Sequence, residues 1–196
     1  MQIDANLAVD EGIVAKAMPI SGWGAERDIM GFYEALVRAA PPGATVVEVG
    51  FFHGRSLAYL ALAAKREAKG LNVVGVDWCR GQKGDVQGEA MADSVLRTLD
   101  RLDVLDHVTL LVNRSEAAAK VIADGSLWAV FIDDDHEEPL VRRSCEAWFP
   151  KVMPGGVFAG HDYHWGGVQK VVRESYPQHK VFAFEGTTNV WWLNKG

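Results

Sequence analysis

Between Phe131 and Pro139 the chain reads FIDDDHEEP, three consecutive carboxylates and an imidazole directly behind a short apolar run. Carboxylates a few ångströms apart raise one another's proton affinity and cost folding energy unless a cation, a donor or a substrate compensates them. Oxygen ligands of this kind suit a hard divalent cation such as magnesium, calcium or manganese. Acids at a helix start also complement the helix dipole, which accounts for Glu137 and Glu138, with Asp134 or Asp135 as cap. That explanation does not reach Asp133, which would end a buried strand and gains nothing there by staying unpaired. A second group, HDYHW, follows the next apolar run, and its Asp162 would lie at a neighbouring strand end, where it can converge with Asp133. Histidines crowd the same edge at His53, His136, His161 and His164, and a neutral imidazole there could take the proton from a substrate hydroxyl.

The segment VVEVGFFHGRS reads as a strand ending near Glu48, with Gly50 and Gly54 ahead of a helix opened by Arg55 and Ser56. Glycines at the C-terminal end of a parallel strand let the backbone approach a ligand, and the helix start offers unpaired N–H groups. The spacing E-x-G-x-x-x-G is neither the dinucleotide fingerprint nor the phosphate loop. Asp77 closes the next strand in VVGVD, where an acid can accept hydrogen bonds from ribose hydroxyls, and Trp78 beside it could stack on a flat ring. Trp23 and Trp165 could close over a ligand or hold an acceptor's apolar face. Trp128, Trp148, Trp191 and Trp192 are assigned to the core or to an interface between copies.

Positioning these residues requires alternating elements. AERDIMGFYEALVRAA from Ala25 has helical spacing and is stopped by PPG. ATVVEVG, NVVGVD, HVTLLVN and LWAVFID read as strands, separated by helices at RSLAYLALAAKREAKG, GEAMADSVLRTLDRLDVL and SEAAAKVIAD. After the helix EEPLVRRSCEAWFPKV, MPGG reads as a turn into the strand VFAG, and GGVQKVVRESY as one more helix. KVFAFE and NVWWLN, joined by GTT, form an antiparallel hairpin. The pattern predicts an α/β protein whose mostly parallel sheet is covered by helices on both faces. The glycine-rich CRGQKGDVQG from Cys79 to Gly88 reads as a long surface loop.

A length of 196 residues fits one domain, 1–196, with 1–40 as its N-terminal helical segment. A formal charge of −6 and the lack of a Lys/Arg run argue against nucleic acid as a partner. Asp4, Asp10 and Glu11 stand where a secretory leader would be basic, and no apolar run reaches about 18 residues, so a cytoplasmic protein without a membrane span is expected. Cys79 and Cys145 lack metal-ligand spacing and read as reduced thiols.

EVGFFHGRS, VVGVD, FIDDDH, MPGGVFAGHDY and GTTNVWWL, in this order from Val46 to Leu193, resemble the class I S-adenosylmethionine-dependent methyltransferases. Within them the chain is similar to metal-dependent small-molecule O-methyltransferases carrying IDGDH-like and GGVLAGHDY-like motifs. The resemblance implies a Rossmann-like, seven-stranded sheet. It implies that Glu48, Gly50, Gly54 and Ser56 border the methionine and ribose of S-adenosylmethionine, Asp77 its ribose hydroxyls with Trp78 alongside, and Asn113 to Ser115 its adenine edge. It maps a divalent cation, with magnesium expected, onto Asp133 and Asp162, with Asp134 and His161 as candidates for additional ligands. Asp134 departs from the pattern, replacing a small residue. His161, then His136, is the expected base, and the acceptor a small molecule, a sugar or glycoside hydroxyl ahead of a phenol. A homo-oligomer would fit the lack of a recognition domain. Two alternatives stay open, a metal-dependent hydrolase and a non-catalytic adenosyl-binding module.

Overall fold

The structure, a computed structural model, describes residues 3, 8–23, 27–81 and 87–196. Seven helices and seven strands are found among them: α1 Glu11–Ala17, α2 Arg27–Ala39, β1 Thr45–Val49, α3 Arg55–Glu67, β2 Asn72–Asp77, α4 Glu89–Arg101, β3 Val108–Val112, α5 Ser115–Ala119, β4 Leu127–Ile132, α6 Glu138–Trp148, β5 Val152–Gly160, α7 Gly166–Ser175, β6 Lys180–Phe184 and β7 Thr187–Asn194. The strands form one sheet in the order β3-β2-β1-β4-β5-β7-β6. The pairings β1 with β2 and β4, β2 with β3, and β4 with β5 are parallel, whereas β7 runs antiparallel to both β5 and β6. This is the Rossmann-like mixed sheet that the alternation of elements predicts, and its order reverses beside β1. Ligands bind at such a reversal, over the carboxyl ends of the strands.

Each face of the sheet has its own core, because successive strand side chains point opposite ways. Val46, Phe131 and Ala159 pack with α1 to α4, while Val47, Val130 and Phe158 pack with α5 to α7. Trp128, Trp148, Trp191 and Trp192 all belong to these cores. Cys79 and Cys145 are buried free thiols, and burial pushes the Cys79 thiol up to about 11.

Several expectations differ in detail. The sequence reading gives no helix at α1, yet Asp10 caps it, its Oδ1 accepting from the amides of Gly12 and Ile13 at 2.9 and 3.2 Å. Here α5 is a single short helix, where the sequence suggests one running on to Asp124. MPGG lies inside β5, beside the register shift between Leu127 and Ala129, and is not a free turn. The hairpin turns on Glu185 and Gly186, φ 46° and 83°, the left-handed pair that a two-residue hairpin requires. Part of the start expected for α2, at 24–26, and the centre of the loop after β2, at 82–86, lie outside the described residues. That loop's neck is described, and the Gly88 amide donates to the Cys79 carbonyl at 2.6 Å.

The N-terminal helices are fastened by a buried charge. Glu34 of α2 is 0% exposed and accepts from Arg66 at 2.9 and 2.7 Å and from the Tyr59 hydroxyl at 2.7 Å. Burial alone would raise its carboxyl, but the guanidinium and the hydroxyl outweigh it and hold Glu34 below the usual glutamate range. Its stabilising contribution is therefore present above the unfolded-state value and lost as pH falls through the folded one. Removing Arg66 leaves the buried carboxylate with only the Tyr59 hydroxyl and the more distant Arg38, 3.6 Å away, so Arg66→Ala is expected to destabilise the fold by about 3 kcal/mol at pH 7 in urea titration.

Candidate active site

The carboxyl ends of β1, β2, β4 and β5 converge on one edge, and backbone contacts tie their loops together. The Gly50 amide donates to the Val76 carbonyl, and the Asp133 amide to the Val49 carbonyl, both at 2.7 Å. Gly50 has φ 98°, and a Cβ there would overlap the backbone carbonyl of Asp133. Only glycine lets the β1 loop lie this closely against the acid loop.

Under that loop, the Ser56 hydroxyl donates to Oε1 of the fully buried Glu48 at 2.5 Å. Asp77 is the latch between β1 and β2, its Oδ2 accepting the Phe52 amide at 2.8 Å and its Oδ1 the Cys79 amide at 2.6 Å. Burial pushes its carboxyl above the usual aspartate range, and the two amides offset part of that. Each oxygen keeps a second acceptor direction, which suits a vicinal diol. Gly54, φ 89°, then opens α3.

Trp78 differs from expectation. The guanidiniums of Arg80 and Arg114 lie 3.8 and 3.9 Å from its ring centroid. A flat ligand ring would have to share the indole with these two cations. Asn113 is exposed and accepts the Arg114 amide through its own Oδ1 at 2.9 Å. Ser115 faces the α6 side, where the Trp148 indole N–H donates to its hydroxyl at 2.9 Å and Ser144 Oγ lies 2.8 Å away.

The acids separate into two groups. Ligand atoms of Asp133, His161 and Asp162 all lie within 4.8 Å of one another. His161 Nδ1 stands 3.2 Å from Asp162 Oδ1 and 3.7 Å from Asp133 Oδ1, and its Nε2 is 3.2 Å from Oδ2 of Asp28, a residue the sequence reading does not single out. Asp162 holds φ 59°, and its Oδ2 is 2.6 Å from His136 Nε2, whose ring stacks on the half-exposed Trp165. Burial works against a charged His161, but Asp162, Asp28 and Asp133 override it and push the imidazole up to about 10. With both nitrogens engaged and a proton firmly held, His161 is a poorer base than the sequence implies; His136 is the more exposed imidazole.

Asp134 does not join this group, contrary to its assignment as a ligand. Its Oδ2 accepts the Ser144 hydroxyl at 2.5 Å on the α6 side, and its buried Oδ1 has no hydrogen-bond partner among the described residues. The physical reason is the alternation at a strand end, which turns neighbouring side chains to opposite sides.

A small cavity of about 10 Å³, room for one water or ion, is lined by Asp133, Asp135, His161, Asp162 and Trp191 among others. Trp191, one of the lining residues, is fully buried, and its indole N–H has no hydrogen-bond partner among the described residues. Two carboxylates and an imidazole fit a divalent cation. A larger cavity of about 360 Å³ on the outer flank of the glycine loop, lined by Lys16, His53 and Arg101 with hydroxyls, has no carboxylate in its lining and does not suit a cation.

A family model described as a methyltransferase domain matches residues 47–163. Among solved structures, the fold is similar to a SAM-dependent O-methyltransferase from Thermotoga maritima, with TM-score 0.69 and 15% identity over 93% of this chain and 71% of the other. It is also similar to the O-methyltransferase TomG from Streptomyces achromogenes, solved with SAM, with TM-score 0.67 and 17% identity over 98% and 93% of the two chains. A TDP-rhamnose 3'-O-methyltransferase of calicheamicin biosynthesis gives TM-score 0.63 and 15% identity over 97% and 89%.

Burial pushes the Asp134 carboxyl up to about 6, with Ser144 and Ser115 opposing. Between about pH 4 and 6 the folded chain keeps a proton that the unfolded chain has lost, so this group's contribution to stability falls as pH rises through that window. Asp134→Asn lacks the penalty, and in chelator at pH 7.5 it is expected to exceed the wild type by about 1–3 kcal/mol in urea unfolding, converging with it below about pH 4.

Proposed function

Because this chain belongs to the methyltransferase-domain family, and is thereby an enzyme that transfers methyl groups, we propose that it methylates a hydroxyl oxygen of a small molecule from S-adenosylmethionine, with a divalent cation activating that oxygen. The observation that carries this reading is the convergence of Asp133, His161 and Asp162 beside the Gly50 loop. S-adenosylmethionine supplies an electrophilic methyl on a sulfonium, which leaves with the S–C bond electrons returning to sulfur. Glu48, Gly50, Gly54 and Ser56 form the floor for its methionine and ribose, and Asp77 accepts from the ribose hydroxyls. The resemblance of EVGFFHGRS and VVGVD to the class I methyltransferases and the similarity of the fold to SAM-bound TomG support that placement.

Asp133, His161 and Asp162 would hold the cation, which would supply Lewis-acid activation of the acceptor hydroxyl and help to position it. The imidazole in the donor set favours manganese over the magnesium expected from carboxylates alone. His136 receives the hydroxyl proton: its Nε2 is committed to Asp162, leaving Nδ1 as the acceptor in the neutral ring. Trp165, stacked on His136 and half-exposed, offers a flat apolar platform to the C–H face of a sugar. Together with the TDP-rhamnose enzyme among the similar structures, this supports a sugar or glycoside acceptor. Among the described residues no helix is long and apolar enough to cross a membrane. A hydrolase would give the second acceptor directions of the Asp77 oxygens no ligand, whereas a ribose diol uses them.

Two substitutions test the division of labour. Asp77→Ala is expected to weaken S-adenosylhomocysteine binding by about tenfold or more in calorimetry, the loss of hydrogen bonds to two hydroxyls. Asp133→Ala is expected to abolish methyl transfer to a panel of nucleotide sugars, while cofactor affinity stays near the wild-type value. Full activity in Asp133→Ala would refute the cation assignment.

A further inference from the structure

The cation reading leaves one feature unused, on the far side of His161. Asp28 lies in the first turn of α2, where a carboxylate complementing the helix dipole would ordinarily face water. Instead it is buried, 8% exposed, with Oδ2 at 3.2 Å from His161 Nε2. The same oxygen accepts the Thr187 hydroxyl of β7 at 3.3 Å, and Oδ1 accepts the Ile29 amide at 3.0 Å. Burying a carboxylate costs several kcal/mol unless it is paired, and capping alone would not require burial. His161 thus presents one nitrogen to Asp133 and Asp162 and the other to a dedicated carboxylate from the N-terminal part of the chain.

Imidazoles that bind metals commonly donate their second N–H to a carboxylate, which fixes tautomer and ring orientation and raises ligand basicity. We propose that Asp28 is a positioning residue for the cation: it holds the Nε2 proton of His161 and thereby turns Nδ1, as a neutral donor, toward the ion shared with Asp133 and Asp162. This rests on the cation reading above. Thr187 steadies Asp28, so the first turn of α2 and the hairpin strand β7 both support a ligand at the end of β5. A cluster serving only as a structural ion pair would need the imidazolium, with both nitrogens protonated, and would be weakened by an incoming cation.

The test is titration of the full chain with Mn²⁺, followed by electron paramagnetic resonance, together with the Co²⁺ electronic spectrum at saturation. Asp28→Asn keeps the side chain's shape and an acceptor oxygen but removes its charge. It is expected to bind Mn²⁺ about 10–100-fold more weakly and to shift the Co²⁺ bands, with S-adenosylhomocysteine affinity unchanged. Should this variant fold poorly, Thr187→Val, which removes the bond to Asp28 together with the hydroxyl's 2.9 Å bond to the Phe184 carbonyl in the hairpin turn, is expected to weaken Mn²⁺ in the same direction by a smaller factor. Wild-type Mn²⁺ affinity and an unchanged Co²⁺ spectrum in Asp28→Asn, or wild-type Mn²⁺ affinity in a folded Thr187→Val where Asp28→Asn does not fold, would overturn the role of Asp28 alone. A wild-type protein that binds no Mn²⁺ would refute the cation reading, and this inference with it.

Discussion

Negative charge gathered at one sheet edge must be compensated, and the local architecture answers to that requirement. Asp28, Asp133 and Asp162 arrive from α2, the end of β4 and the end of β5, and a single imidazole stands among them. Without a cation, His161 carries the balancing charge, which is why its proton is held to about pH 10. A divalent ion would perform the same compensation more completely and free the imidazole to act as a ligand. The energetic demand that makes the cluster costly on its own is therefore also what would favour a cation there.

A second constraint operates at the reversal of strand order. Asp77 binds the Phe52 and Cys79 amides, and Gly50 presses against the backbone of Asp133. Through these contacts the β1 loop is fixed simultaneously to the end of β2 and to the acid loop after β4. A ligand resting on the glycine loop is consequently registered against the Asp133 group by backbone contacts, with little dependence on mobile side chains. Such rigidity is what positioning a methyl donor against an oxygen acceptor demands.

Much of this was legible in the residues. The strand sequence could be read because apolar, β-branched runs alternate with helical spacing, and Glu48, Gly50, Asp77, Asp133 and Asp162 each close such a run. Residues one step further were less legible. Asp134 looked like part of the acid cluster, yet alternation turns it toward Ser144. Trp78 looked free to stack, but Arg80 and Arg114 already flank it, a contact that depends on loop conformations no periodicity encodes. Asp28 escaped notice because an acid in a helix's first turn has an ordinary local explanation; its burial against His161 is a tertiary fact. That both nitrogens of His161 are engaged, which disfavours it as the base, is likewise visible only in the fold.

The central claim is that Asp133, His161 and Asp162 hold a cation facing the bound methyl donor. It is tested most directly by a crystal structure of the protein grown with Mn²⁺ and S-adenosylhomocysteine, with anomalous diffraction recorded at the manganese edge. The expected result is an anomalous peak bonded to those three side chains, with the ribose on Asp77 and the cofactor's sulfur turned toward the metal. A cofactor bound on Asp77 with no peak at the three residues, or with the metal on Asp134 instead, would contradict it.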